Sequence, residues 1–331
     1  MALIKKFTNK CLSLLRLGDR WFDKLIKRLI ESARTHSYIE TTSPSQADTL
    51  HLEIKQNNIK TFMHEYEKIV RFSLKKLKLK KVKIAFDTTE DLTWCKDNFN
   101  LRPSVYSHPT LCWNYLNVCI VEPYFLPLMS VPYRQVDDLT NLTIDLLKYV
   151  QTLPFTVDLA LFDRGFYIGR LIDYMNNGMG KPIPYLMLAP KKSGKIKDFA
   201  NNTRGIEYFN HKIKYSRDKS NWYIETKIIT RRIDEKTCWC YATNQKVSLE
   251  LLRQYGKRWN IETGFRIHDE AMIKSKSKNM NIRYFYHLLG MLLVILWRLQ
   301  RKSGITVFKK YLRELEYYFC KEIFVPPPPP L

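Results

Sequence analysis

The chain has 331 residues, 45% of them hydrophobic and 13% aromatic, enough to bury a sizeable core in more than one domain. Fifty-five Lys and Arg against 32 Asp and Glu leave a net charge of +23, far too positive for an ordinary soluble enzyme and directed at a polyanionic partner. Seven cysteines, odd in number and without a repeated spacing, exclude a disulfide framework, and no period of self-similarity points to a repeat protein.

The charge is unevenly spread. Residues 1–80 carry 17 basic against 8 acidic side chains, 176–248 carry 15 against 6, and 249–331 carry 15 against 7. Residues 81–175 reverse the sign, with 8 basic and 11 acidic side chains. An acidic island between basic segments suits a metal site flanked by surfaces that grip phosphates.

In chain order, residues 1–35 place Leu12, Leu15, Trp21, Phe22, Leu25 and Leu29 at helical spacings with Lys and Arg between them, which predicts one or two basic helices. No small-residue cleavage pattern follows, so no signal peptide is expected, and free thiols in a reducing cytosol are the default. The polar TTSPSQA at 41–47 breaks the pattern, and Ser45 or Asp48 is expected to cap a second helical stretch to about Leu77. Residues 80–86 (KKVKIAF) alternate Val82, Ile84 and Phe86 with lysines, which predicts a half-buried strand delivering Asp87 at its end. Residues 110–132 fit two strands with proline-marked edges, 137–150 an amphipathic helix, and 155–162 (FTVDLALF) a buried strand ending at Asp163. Strand-end carboxylates are natural ligands for hard cations, since the sheet fixes them while the loop admits water.

Residues 183–247 contain strand-like pieces at 184–188, 206–209, 211–215, 221–229 and 237–243, separated by basic loops such as 191–197. Cys238 and Cys240 are expected to point away from each other, without sharing a metal. The run 255–269, YGKRWNIETGFRIHD, reads as one helix whose Tyr255, Arg258, Glu262 and Arg266 stack on one face, with Trp259, Ile261 and Phe265 supplying apolar contacts. Residues 283–300 are apolar on nearly every side and predict a core helix, with His287 a core histidine rather than a ligand. Their most apolar run, 288–297, is too short to span a bilayer, so no membrane partner is expected. A last amphipathic helix is expected at 308–324, before a polyproline tail.

Tyr255, Arg258 and Glu262, spaced Tyr-x2-Arg-x3-Glu, resemble the signature around the catalytic glutamate of DDE transposases of the IS4 insertion-sequence type. FDTTE around Asp87 and LFDRGFY around Asp163 resemble that superfamily's first and second catalytic aspartates, in the right order, over roughly residues 80–300. The resemblance implies an α/β fold: an RNase H-like core at 81–180 and 249–331, interrupted by a β-rich insertion at 181–248, with a helical basic N-terminal segment at 1–80 and a helical C-terminus. Segment 1–80 then either recognises element ends or is a packing appendage. The implied activity is cleavage at element ends and strand transfer into target DNA, with Asp87, Asp163 and Glu262 holding two Mg²⁺ ions that Mn²⁺ can replace. Double-stranded DNA and a second copy of the chain, in a nucleoid-associated cytoplasmic setting, are the implied partners. Tyr255 and Arg258 would position a phosphate, and Trp222 or Trp239 would stack on a base flipped from the DNA end. The family's usual lysine seven residues after the glutamate is Asp269 here, so that phosphate contact falls to Arg266 or Lys274, or is missing. The rival reading is a catalytically inactive, sequence-specific DNA-binding descendant.

Overall fold

The computed structural model describes residues 19–93, 101–105, 110–178, 181–191, 194–217, 220–300 and 307–321. The chain divides into two compact units, one gathering Met1–Lys78, Thr93–Lys96 and Thr263–Leu331, the other Leu79–Leu92 and Asp97–Glu262.

The first unit is helical. Its helices are α1 (Asp19–Thr35), α2 (Ile39–Thr42), α3 (Pro44–Gln56) and α4 (Ile59–Leu77). The single helical stretch expected up to Leu77 is therefore two helices. Asn58 ends the continuity because its side chain accepts from the Thr61 N–H and caps a new helix start. The helices expected before residue 19 lie outside the described residues. Late in the chain, Met280–Gln300 forms a long apolar helix and Phe308–Lys321 the last one, the remainder of the expected 308–324 helix also lying outside. Met280–Gln300 is long and apolar enough to cross a membrane by length and composition, but 83% of its most apolar window is buried in the fold. Its side chains meet α3 and α4: Phe285 packs on Phe62 at 5.6 Å, and Tyr286 hydrogen-bonds His51 at 3.0 Å. It is a core helix.

The second unit is built on one nine-stranded sheet in the order β2-β3-β1-β5-β6-β9-β8-β7, with β4 pairing on β3. The strands are β1 (Lys81–Thr93), β2 (Arg102–Pro103), β3 (Leu111–Glu122), β4 (Leu126–Tyr133), β5 (Thr156–Phe162), β6 (Tyr185–Leu188), β7 (Ile206–Arg217), β8 (Ser220–Arg232) and β9 (Cys238–Thr243). β1, β5 and β6 are parallel neighbours; β9, β8 and β7 extend the sheet antiparallel from β6. Helix α5 (Leu139–Gln151) is capped by Asp138, whose carboxylate accepts from Thr140 and Asn141 N–H, and α6 (Gly169–Asn177) follows β5. The basic stretch expected as a loop at 191–197 instead enters a helix, α7 (Gly194–Asn202), because Ile196, Phe199 and Ala200 supply an apolar stripe.

The registers assign faces. Paired residues share a face and their neighbours take the other. Phe209, Tyr215, Trp222, Thr230, Cys238 and Cys240 lie on one face of the β7–β9 wing. α6 and α7 cover that face: Phe199 packs on Phe209 at 4.5 Å, Thr203 hydrogen-bonds Thr230 at 2.7 Å, and Tyr215 donates to Asp173 at 2.8 Å. Gly169 is needed there, since a Cβ would sit 2.9 Å from that of Tyr215. Cys238 and Cys240 are both buried with the exposed Trp239 between them, so they share a face, contrary to expectation, as the two-residue period of a strand requires.

Candidate active site

Three elements of the second unit converge on the carboxylates. β1 pairs with β5 through Ala85↔Leu161, and Phe86 stacks on Phe162 at 4.9 Å one residue on. Asp87 and Asp163 follow one residue later, two beyond the last paired position, which carries both toward the same face at the ends of the β1–β5 ladder. The backbone path differs from the expected one. β5 stops at Phe162 and Asp163 caps a short 3-10 turn, Arg164–Phe166, but β1 continues past Asp87 to Thr93. Asp87 therefore lies within a strand, beyond the end of its ladder with β5. Each aspartate accepts one bond through Oδ1 from the next N–H, Thr88 at 2.9 Å and Arg164 at 2.7 Å.

Glu262 arrives from the far end of the unit. The run read as one helix is divided: α8 (Leu249–Gln254) leads into a 3-10 turn, Tyr255–Arg258, before α9 (Trp259–Asp269) begins. The tighter turn places Tyr255 and Arg258 side by side and buries both. The Tyr255 hydroxyl donates to the carbonyl oxygen of Phe162 at 3.1 Å, the residue immediately before Asp163. Arg258, 6% exposed, donates from Nη2 to Glu262 Oε1 at 2.8 Å. Its guanidinium lies 5.8 Å from the Tyr255 ring centre and 5.3 Å from that of Trp259. Trp259 is 54% exposed, so of the apolar contacts expected from this run only Ile261 and Phe265 are buried. Lys257 pairs with Glu122 at 3.2 Å, Lys83 of β1 with the same carboxylate at 2.7 Å, and Asn260 donates to the Val121 carbonyl at 3.0 Å. These bonds moor the turn to β1 and β3, and none was signalled by the motif.

The electrostatics tie the four charges together. Burial pushes the Asp87 carboxyl up to about 6; the Thr88 N–H and Arg258 pull it down, while Glu262 and Asp163 push it further up. Burial opposes the Arg258 charge, but Tyr255, Asp163, Glu262 and Asp87 outweigh it and hold the guanidinium above its ordinary value. Burial also raises the Tyr255 phenol far above its usual range, so it stays a neutral donor.

All the candidate ligands are carboxylate oxygens, the donor type hard divalent cations take. Among the described residues, Asp87 and Asp163 have no further hydrogen-bond partner beyond the adjacent N–H, and a cation would relieve the burial that raises Asp87. The donor set fits in chemistry. As folded, no group of three or more His, Cys, Asp or Glu is close enough to hold a metal among the described residues, and the Arg258 pair holds Glu262.

The chain shares its fold with a transposase. It is similar to the solved structure described as "piggyBac transposase synaptic complex with hairpin DNA", at a TM-score of 0.58 and 12% identity over 99% of this chain and 73% of that one. No protein-family model matches the chain, and no curated protein matches it.

The remaining expected site residues separate. Trp239 and Trp222 lie on opposite faces of the wing. Following the pairs Arg231↔Trp239, Leu188↔Tyr241, Leu186↔Thr243 and Leu161↔Leu186 puts Trp239 on the face of Asp163 and Asp87. A ring relay supports this: Trp239 stacks on Tyr241 at 6.2 Å, and Tyr241 meets Tyr255 edge-on at 5.2 Å. Tyr241 was missed, although its two-residue spacing from Trp239 already marks a shared strand face. Arg266 and Lys274 fall in the first unit. Arg266 is exposed one turn beyond Glu262 and donates to Thr263 at 3.3 Å; Lys274 is exposed, its backbone carbonyl accepting from the Ile39 N–H. Asp269, in place of the expected lysine, is exposed with its carboxylate 3.2 Å from Nδ1 of buried His268. His287 is buried, as expected of a core histidine, its carbonyl 3.0 Å from His268 Nε2.

Proposed function

We propose that this chain is a DDE transposase of the IS4-like type, cutting DNA at element ends and joining them to target DNA. The observation that carries the reading is that Asp87 and Asp163 each stand two residues beyond the last paired position of β1 and β5, Ala85↔Leu161, with the Arg258–Glu262 pair within their electrostatic reach. The strand order β4-β3-β1-β5-β6 with β3–β4 antiparallel supports an RNase H-like core, and the wing β7–β9 the β-rich insertion. The likeness to a transposase fold and the net charge of +23 support DNA as the substrate.

Asp87, Asp163 and Glu262 would hold two Mg²⁺ ions, or Mn²⁺ in their place. Bound there, these ions would supply an activated water and a charge clamp on the phosphorus centre. The chain's own groups do the positioning. Tyr255 fixes the strand end from which Asp163 projects, and its buried hydroxyl makes it a support of the site more than a phosphate donor. Arg258 holds Glu262 until a phosphate or a ligand competes for either partner, and its fork then suits a phosphate oxygen. Trp239, on the carboxylate face, is the better placed of the two tryptophans to stack on an extruded base. Joining two ends calls for two copies of the chain on DNA.

The test is a cleavage and strand-transfer assay with Mg²⁺ or Mn²⁺ on DNA carrying the ends that flank the gene. Wild type should nick at the ends and Glu262→Gln should lose nicking with duplex binding unchanged. Tight binding without cleavage by either protein would favour the inactive descendant.

A further inference from the structure

The wing β7–β9 has two unlike faces. One is covered by α6 and α7 over Phe209, Thr230 and Tyr215, with Trp222 beyond them 49% exposed. The other carries Tyr208, Lys212, Lys214, Tyr223, Lys227, Arg231 and Trp239, assigned by the pairs Tyr208↔Ile229, Lys212↔Glu225, Lys214↔Tyr223 and Arg231↔Trp239. This is the face on which Asp87 and Asp163 lie, and the Trp239–Tyr241–Tyr255 relay connects the two regions. Outboard of Trp239, on the β7–β8 hairpin, Tyr208 is 59% and Tyr223 55% exposed. Lys214 is exposed directly opposite Tyr223, and Lys212 is exposed opposite Glu225 on the way to Tyr208, with its Nζ 5.0 Å from the Tyr223 ring centre. Among the described residues on the wing's part of this face, Glu225, opposite Lys212, is the one carboxylate.

Two exposed rings set among lysines and an arginine on an open sheet face match one occupant well, an unpaired nucleic-acid strand, whose bases stack on rings while its phosphates meet cations. We propose that the open face of the β7–β8 hairpin binds an unpaired strand of DNA leading away from the carboxylates, with Tyr208 and Tyr223 as stacking platforms and Lys212 and Lys214 on its phosphates. A base stacked on Tyr223 displaces the Lys212 ammonium from the ring face onto the strand's own backbone. An acidic or apolar protein partner fits less well, since one needs no ring faces and the other no lysines. The inference rests on the reading of the chain as a DNA-processing enzyme and adds a second contact surface to it.

The experiment is fluorescence anisotropy of the full chain with a labelled 20-nucleotide oligothymidine and a duplex of equal length, at fixed salt. The double variant Tyr208→Thr/Tyr223→Thr keeps strand-favouring side chains and removes both rings. It should bind the single strand at least about fivefold more weakly than wild type and the duplex almost unchanged. Tyr208→Phe/Tyr223→Phe keeps the rings and should restore binding. Lys212→Gln/Lys214→Gln should weaken the single strand and lower its salt slope by roughly 1.4, whereas Lys195→Gln/Lys197→Gln, the same charge change on α7, should leave it within twofold. Single-strand binding by the Thr variant within twofold of wild type overturns the proposal, as does an equal loss in the α7 variant. Cleavage is scored separately: a wild type that binds through this face but never cuts refutes the transposase reading and leaves the surface standing.

Discussion

Asp87 concentrates the conflict between stability and chemistry in this site. Its carboxyl ionises near pH 6 in the fold against 3.8 for an ordinary aspartate, because burial and the neighbouring Glu262 and Asp163 oppose the charge. A raised acid pKa means the folded state holds its proton longer than the unfolded state, so stability falls as pH rises from about 4 to 6 and stays lower above that. Asp87→Asn removes the charge. Its melting temperature should exceed that of wild type at pH 8, and the gap should close as pH falls below about 4. Added Mg²⁺ should raise the wild-type melting temperature and not that of the variant. Scanning calorimetry of both proteins at three pH values decides it, and a variant less stable than wild type at pH 8 would refute the assignment. On the proposed function, the same carboxyl would also set an acid limit on activity, since its protonated form is a poor ligand.

At the scale of elements, the 3-10 turn and the α9–Met280–Gln300 pair each make a prediction. Tyr255→Phe deletes the bond to the Phe162 carbonyl and the hydroxyl's interaction with Arg258 while keeping the ring. It should cost about 1 kcal/mol, a few degrees in melting temperature, with little change in duplex affinity. A tenfold loss of DNA binding at unchanged stability would instead make the hydroxyl a phosphate contact. In the core helix, a Cβ at Gly290 would stand 2.9 Å from His268 Nε2, the nitrogen that meets the His287 carbonyl. Gly290→Ala should therefore destabilise by roughly 1–3 kcal/mol, although alanine is the better helix former by about 1 kcal/mol. A rise in melting temperature would show that His268 yields freely. These elements also mark what could be read in advance. Alternation in KKVKIAF and the apolar run FTVDLALF revealed β1 and β5. Glu262 stood out only through the resemblance of Tyr255, Arg258 and Glu262 to a family signature, since spacing and charge alone do not separate it from the other acidic residues. The break before Trp259 was not legible, because a 3-10 turn and an α-helix share their apolar spacing over four residues. Nor was the division between Trp222 and Trp239 legible. The face a strand residue takes depends on its cross-strand partner, and the pairs Tyr215↔Trp222 and Arg231↔Trp239 exist only once the wing has folded into register.

At the scale of the molecule, the sign of the charge matters less than its placement. A chain of net charge +23 should hold duplex DNA with a steep salt dependence, yet two of the three carboxylates that would act on it lie in the acidic stretch 81–175. Asp87, Asp163 and Glu262 repel a phosphate unless Arg258 or a bound cation offsets them. Removing one of these charges should therefore help binding when no cation is present. At pH 8 with EDTA, Asp87→Asn should bind duplex DNA about two- to fivefold more tightly than wild type, the effect of roughly 1 kcal/mol expected for one unit charge near another at contact in water. With Mg²⁺ the wild type should draw level or overtake, since its carboxylates are then neutralised and the variant has lost a ligand. Anisotropy titrations of the two proteins in EDTA and in Mg²⁺ measure this directly. Equal affinities in both buffers would mean that DNA never approaches these carboxylates, and the active-site assignment would fail even though the protein binds DNA.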